Sequence, residues 1–83
     1  MNKNYLSKNL KYLRRKVGLR QYHVYESLDI KRSSWSGYET GRSVPPLDDL
    51  ITFASYFGVT LDELVLQDIE AHDKAQKIFT KHF

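Results

Sequence analysis

Helix breakers at intervals along this chain restrict it to short helices. Gly18, Gly41 and Gly58 punctuate the sequence, and Pro45–Pro46 form a pair that cannot continue a helix. Glycine is favoured just after a helix because it adopts a left-handed backbone at no steric cost. The intervening segments carry apolar residues at helical spacing, and no β-hairpin signal appears. The sequence therefore predicts an all-α fold.

Five helices are predicted, each with one apolar face. Their ranges are about 6–17, 21–28, 32–40, 47–57 and a fifth that opens at the capping box Thr60–Glu63. Asp29 lies in the turn after the second helix and tolerates the left-handed backbone that a tight turn needs. The residues expected to face the core are Leu6, Leu10, Leu13, Val17, Val24, Leu28, Trp35, Tyr38, Leu47, Leu50, Ile51, Ala54, Phe57, Leu61, Leu64 and Val65.

The pattern thins beyond Leu66 but still favours a helix. A spacing of four and three residues alternates through Val65, Ile69, His72, Gln76, Phe79 and Phe83. We therefore predict a domain over residues 1–66 and a C-terminal helical extension over residues 67–83. The extension is expected to help dimerise the protein or to cover the fifth helix, and the alternative is an ordinary surface helix.

Charge is distributed unevenly along the chain. The net charge is +3, but residues 1–44 carry +7 and residues 45–83 carry −4. A cationic half on a small domain suits a polyanionic partner, although a solvated basic surface would look the same in the sequence.

Composition and spacing argue against an enzyme. The 83 residues allow one domain, and the absence of cysteine excludes disulfides and thiolate metal sites. His23, His72 and His82 lack ligand spacing, and the pair Asp68 and His72 supplies too few ligands for a metal. There is no nucleophile elbow, no Gly-rich phosphate loop, and no apolar run long enough for a signal peptide or a membrane span. We expect a cytoplasmic protein with no cofactor, no metal and no small-molecule substrate.

Two short helices joined by a tight turn, over residues 21–28 and 32–40, match the helix-turn-helix plan. Over residues 6–66 the chain resembles the Cro and lambda-repressor-like (Xre-type) helix-turn-helix domains of bacterial and phage regulators. The motifs that carry the resemblance are Leu10-Lys11-Tyr12-Leu13-Arg14, Gly18-Leu19-Arg20-Gln21, Leu28-Asp29-Ile30-Lys31-Arg32-Ser33, Tyr38-Glu39-Thr40-Gly41-Arg42 and Phe57-Gly58-Val59-Thr60-Leu61-Asp62-Glu63-Leu64.

The resemblance implies a five-helix domain whose third helix enters the major groove. The residues expected to meet base edges are Arg32, Ser33, Ser36 and Gly37, with Arg32 able to bond guanine O6 and N7 together. Those expected to bind phosphate are Gln21, Lys31, Arg42 and Ser43, assisted by the backbone amides after Gly41. Arg14 and Glu39 are expected to form a structural salt bridge between the first and third helices.

The function that follows is sequence-specific regulation of transcription, as a repressor that binds a two-fold double-stranded DNA operator as a homodimer. Tyr25, where the family has a small residue, and Gly37, where many relatives have a long polar one, depart from the pattern. They keep open a module that has lost DNA binding and serves protein–protein interaction. A further alternative is an antitoxin that represses its own gene and binds a toxin through its tail.

Overall fold

The computed structural model describes the backbone of residues 4–81 and the side chains of residues 4–76. This part of the chain contains six α-helices and no strand, which confirms the all-α prediction. The helices are α1 (Leu6–Lys16), α2 (Gln21–Ser27), α3 (Arg32–Thr40), α4 (Leu47–Phe57), α5 (Leu61–Leu66) and α6 (Ile69–Lys81). The first five match the predicted helices to within a residue, and α6 lies within the predicted C-terminal extension.

All six helices contribute buried apolar residues to one core, of which Trp35 and Phe53 are the largest. Trp35 of α3 is fully buried, and its ring meets Phe53 of α4 edge to face, with centroids 5.1 Å apart and an interplanar angle of 88°. This arrangement places the positive edge of one ring against the negative face of the other. The buried apolar residues are Leu6, Leu10, Leu13, Val24, Trp35, Phe53, Ala54, Leu64 and Ile69.

The inner face of α4 differs from the prediction. Leu47 and Ile51 were expected in the core, but they are 61% and 52% exposed, and Phe53 is buried in their place. The helix carries two overlapping apolar stripes, and the stripe through Phe53 and Ala54 packs inward because Phe53 fills the space beside Trp35. The outer stripe of α4 is therefore left on the surface.

Two helix ends show how local sequence fixes the chain path. The helix α1 ends at Lys16, so Val17 lies past its last turn and is exposed, contrary to the predicted apolar stripe. At the start of α5, the Thr60 hydroxyl accepts from the Glu63 amide at 3.0 Å, and the Glu63 carboxylate accepts from the Thr60 amide at 2.8 Å. The predicted capping box is thus confirmed.

The turn between α2 and α3 depends on Asp29. Its φ is +55°, the left-handed region in which aspartate is more readily accommodated than most residues. The turn is closed by the Ile30 amide, which donates to the Tyr25 carbonyl at 2.8 Å. The helix-turn-helix geometry therefore forms here without a turn glycine.

A buried amide on α1 anchors the extension. The Asn9 Nδ2 donates to the carbonyls of Leu64 and Gln67, both at 2.7 Å, and its Oδ1 accepts from the Ile69 amide at 3.2 Å. These bonds join the end of α5 and the start of α6 to α1.

At the surface, two ion pairs add to this anchor. Lys8 bonds Asp68, and Lys16 bonds Asp73, each with 2.7 Å between nitrogen and oxygen. The extension thus packs chiefly on α1 of its own chain rather than over α5. Of the predicted seam, Ile69 is buried and His72 exposed, while the side chains of Phe79 and Phe83 lie outside the described residues.

Candidate nucleic-acid interface

A buried carboxylate fixes α3 to the body of the domain. The Arg14 Nε and Nη2 donate to Glu39 Oε2 and Oε1 at 2.6 and 3.0 Å, and the two side chains are only 10% and 2% exposed. The same carboxylate accepts from Trp35 Nε1 at 2.6 Å and from Gln21 Nε2 at 3.1 Å. One side chain therefore links α1, α2 and α3.

The electrostatics of this network favour the ionised carboxylate. Burial alone would raise the pKa of Glu39, but the hydrogen bonds from Arg14, Gln21 and Trp35 and the charge of Arg14 hold its pKa below the ordinary value. Because every described buried polar side-chain atom has a partner, the network carries no uncompensated charge. The orientation of α3 is thus fixed from its inner face.

The outer face of α3 begins with two exposed residues. Arg32 and Ser33 lie in its first turn with their side chains in solvent, and Lys31 precedes them as the exposed N-cap residue. Ser36 is half-buried, one turn further along. Of the predicted base-reading residues, the structure therefore brings Arg32 and Ser33 together on an open surface, with Ser36 at its margin.

Gly37 does not share this open surface. It is buried, and a Cβ built on it would lie 2.5 Å from the Ser43 Oγ. Its carbonyl accepts from the amides of Gly41, Arg42 and Ser43, so those amides cap the end of α3 rather than point outward. The side chains of Arg42 and Ser43 are exposed, and the Arg42 Nε donates to the Thr40 hydroxyl at 3.3 Å, a bond that leaves the other nitrogens of the guanidinium able to face a phosphate. The lack of a side chain at position 37 makes room for Ser43. This explains the glycine in α3, and the sequence did not suggest this explanation.

A cationic cleft of about 450 Å³ opens between the starts of α2 and α3. Its lining comprises three arginines, two tyrosines and a glutamine and contains no carboxylate: Arg14, Arg20, Gln21, Tyr22, Tyr25 and Arg32. Arg14 and Gln21 form the back, where both bond Glu39. Arg20, Tyr22 and Tyr25 were not predicted as site residues. The clustering of arginine and tyrosine around Gln21 in the sequence was the feature that could have indicated these lining residues.

Tyr25 had been singled out as a departure from the family pattern. It is half-buried, packs against the hydrophobic core and lines the cleft, so the ring is accommodated beside α3 without a break in either helix.

Comparisons with known proteins place this geometry in a family. The family model described as a helix-turn-helix domain matches residues 6–66. The chain therefore belongs to the helix-turn-helix domain family. This family is of a non-enzymatic, DNA-binding kind, which confirms the prediction that the chain is not an enzyme.

Two similar proteins are bacterial. An uncharacterized HTH-type transcriptional regulator of Bacillus subtilis (strain 168), YobD, is 30% identical over 74 residues, which are 89% of this chain and 66% of the relative. A crystal structure of a transcriptional regulator from Listeria innocua matches with a TM-score of 0.71 at 24% identity, over 94% of this chain and 78% of that one. The second likeness shows the shared fold.

The described residues hold few other candidates for chemistry. No helix among them has both the length and the apolar character to cross a membrane. Within the same residues, no three acidic, histidine or cysteine side chains converge as metal ligands would.

Proposed function

We propose that this protein is a sequence-specific transcriptional regulator, a repressor, that reads the major groove with α3 and binds a two-fold operator as a homodimer. The observation that supports this most is the cationic cleft beside the exposed first turn of α3. Arg20 and Arg32 stand at its mouth with no carboxylate in the lining. A duplex presents phosphates beside the base edges, so a cation next to a reading helix suits it.

The division of labour follows from where each side chain lies. We assign base reading to Arg32, Ser33 and Ser36, with Arg32 contributing most of the discrimination because its guanidinium can bond guanine twice. Phosphate contacts are assigned to Lys31, Arg42 and Ser43, which are exposed around α3. Gln21 reaches a phosphate only with the part of its amide that Glu39 leaves free. Gly37 supports α3 through its contact with Ser43.

Residues 1–66 form the DNA-binding unit in this proposal, and residues 67–83 form an extension folded back on α1. The protein acts in the cytoplasm, where bacterial DNA is. Neither a cofactor nor a small-molecule effector is part of the proposal.

Selection of bound fragments from a random pool of duplex DNA tests the proposal most directly. We expect the wild-type protein to enrich a sequence with two related half-sites about one helical turn apart, ~34 Å. Failure to bind any duplex at low salt would instead favour a protein-interaction module. Copurification of a small unrelated protein with the chain would favour the antitoxin alternative.

Two arginine variants separate base reading from phosphate binding. Arg32→Ala should relax the sequence preference by ~1–3 kcal/mol at the base pair that it reads. Arg42→Ala, the matched control, should weaken all sequences alike and lower the slope of log affinity against log salt by about 1. Equal weakening of all sequences by Arg32→Ala would disprove its base-reading role.

A further inference from the structure

The outer surface of α1 carries only positive charge. Lys8, Lys11 and Arg15 are spaced three and four residues apart, which places them on one face of the helix, and all three are exposed. Lys16 extends this surface at the end of the helix, and no residue of α1 is acidic. We call these four residues the α1 basic face. It shares no residue with the lining of the cationic cleft beside α3, so it is a second cationic surface.

Carboxylates from the start of the extension lie against the α1 basic face. The Lys8 Nζ donates to Asp68 and the Lys16 Nζ donates to Asp73, each at 2.7 Å. These bonds lower the pKa of each aspartate, so both are ionised at neutral pH. The distance is typical of an ammonium group bonded to an anionic oxygen, whether of a carboxylate or of a phosphate. Two of the four cations therefore already hold an anion where a nucleic-acid phosphate would bind.

We propose that Asp68 and Asp73 mask the α1 basic face and so confine duplex DNA to the face that carries α3. The inference rests on the proposed function for its ligand, a DNA duplex, and adds a role for the extension, which is to weaken binding to arbitrary sequences. A genome offers a regulator a large excess of non-specific sites. A lower affinity for those sites raises selectivity for the operator without any new base contact.

The two ion pairs are not needed to hold the extension in place. Its attachment rests on the buried Asn9, which bonds the carbonyls of Leu64 and Gln67 and the amide of Ile69, and on the burial of the Ile69 side chain. The two lysine side chains are 48% and 51% exposed, and ion pairs this open to solvent contribute little to stability. Their larger effect is on the charge that the protein presents to a polyanion.

The fold keeps the two carboxylates in position. Asp68 directly precedes Ile69, whose amide donates to the buried Asn9 at 3.2 Å. Asp73 accepts from the Tyr12 hydroxyl at 2.7 Å as well as from its lysine. A duplex that approached this side of α1 would therefore meet two negative charges that cannot leave unless the extension detaches. Like charges brought together in this way disfavour the encounter.

Fluorescence anisotropy with a short random-sequence duplex, measured over a range of salt concentrations, tests the mask. Asp68→Asn and Asp73→Asn each free one lysine for a phosphate, so each should steepen the slope of log affinity against log salt by about 0.9. The double variant should lose roughly tenfold more affinity than the wild type between about 50 and 200 mM salt. Asp62→Asn is the matched control, since Asp62 is exposed on α5 and forms no ion pair among the described residues. It should keep the slope of the wild type.

The lysines provide the second arm of the experiment. Lys8→Gln combined with Lys16→Gln should leave the affinity of the wild type for the duplex nearly unchanged, because these lysines are already occupied. The same two substitutions in the double aspartate variant should return the slope to that of the wild type. Circular dichroism checks that each variant is folded, which is expected because the Asn9 anchor is left intact.

The inference is overturned if the double aspartate variant keeps the wild-type slope, or if Asp62→Asn steepens the slope as much as Asp68→Asn does. It is also overturned if the lysine substitutions weaken the wild type as much as they weaken the double aspartate variant. A wild type that selects an operator while the double variant keeps its slope overturns the mask alone. A wild type that binds no duplex while the double variant binds one supports the mask and overturns the DNA-binding proposal.

Discussion

Helix α1 is joined to α3 by a buried ion pair, and to α6 by a buried neutral amide with ion pairs at the surface. At the α3 junction, the Glu39 carboxylate accepts from Arg14, Trp35 and Gln21 inside the protein. At the α6 junction, Asn9 is the buried group, and the charges of Lys8 and Lys16 are about half exposed. A buried charge is costly once its partner is removed, whereas an exposed pair contributes little. The helix proposed to read DNA is thus held by the junction that is more sensitive to the loss of one partner.

The largest effect is expected at the α3 junction. Glu39→Gln should lower the free energy of unfolding by ~3–5 kcal/mol at neutral pH, because it leaves the Arg14 guanidinium buried without its counter-charge. Urea unfolding followed by the fluorescence of Trp35 measures the change. A loss below ~1 kcal/mol would show that water reaches Arg14 and that the pair behaves as a surface one.

Acid should reduce the difference in unfolding free energy between the wild type and Glu39→Gln. The pKa of Glu39 is lowered in the folded state, so its contribution is complete above the ordinary glutamate pKa, near ~4.3, and is lost as the pH falls through the lowered value. Unfolding free energies of wild type and Glu39→Gln, measured from neutral to acid pH, should therefore converge at the acid end. Parallel curves would contradict the ionised state of Glu39 in the folded protein.

A smaller effect is expected from the buried amide of the α6 junction. Asn9→Ala should cost ~1–3 kcal/mol, since it leaves the Leu64 and Gln67 carbonyls and the Ile69 amide without a partner. Hydrogen exchange should accelerate at the Ile69 amide more than the global loss of stability explains. The Trp35 amide, which donates to the carbonyl of the N-cap residue Lys31 at the start of α3, serves as the internal control. Equal acceleration at both amides would mean that α6 and α3 unfold as one unit.

The exposed ion pairs should matter least. Asp68→Asn and Asp73→Asn should each lower the melting temperature only slightly, and this loss should disappear in about 1 M salt, where the Debye length is only ~3 Å. Thermal unfolding at low and high salt checks this. A cost that persists in high salt would show that these pairs are shielded from solvent more than their exposure indicates.

Asp73 also changes the titration of Tyr12 on α1. A hydrogen bond from the Tyr12 hydroxyl to Asp73, 2.7 Å long, raises the pKa of Tyr12 to about 12. Asp73→Asn should return this pKa toward ~10, while Asp68→Asn should leave it unchanged. A titration of phenolate absorbance, with Tyr12→Phe identifying the Tyr12 transition among the six tyrosines, measures the shift.

Some of this architecture is local and could be read from the sequence. The bounds of α3 and α4 follow from the glycines and prolines, and the capping box of α5 needs only residues 60–63. The sequence did not show which face of α4 is buried, because both of its stripes are apolar. Only the contact with Trp35 determines which stripe packs inward. Asn9 gave no signal, since its partners lie 54–60 residues away.

In the candidate site, too, individual residues could be predicted from the sequence, whereas contacts between distant residues could not. The sequence and its resemblance to a family led to Arg14, Glu39 and Arg32. The sequence did not reveal that Trp35 and Gln21 share the Glu39 carboxylate, because that depends on how three helices converge. Nor did it show that the amides after Gly41 are occupied by the Gly37 carbonyl.

The close approach of Gly37 to Ser43 matters for any effort to retarget this protein to new DNA. Transplanting the outer residues of a relative's recognition helix would often introduce a long side chain at position 37, directly over the Ser43 hydroxyl. Such a graft has to carry position 43 with it, since the hydroxyl must rotate away or be removed. Positions 37 and 43 are therefore one unit of design, although they lie on a helix and on the loop after it.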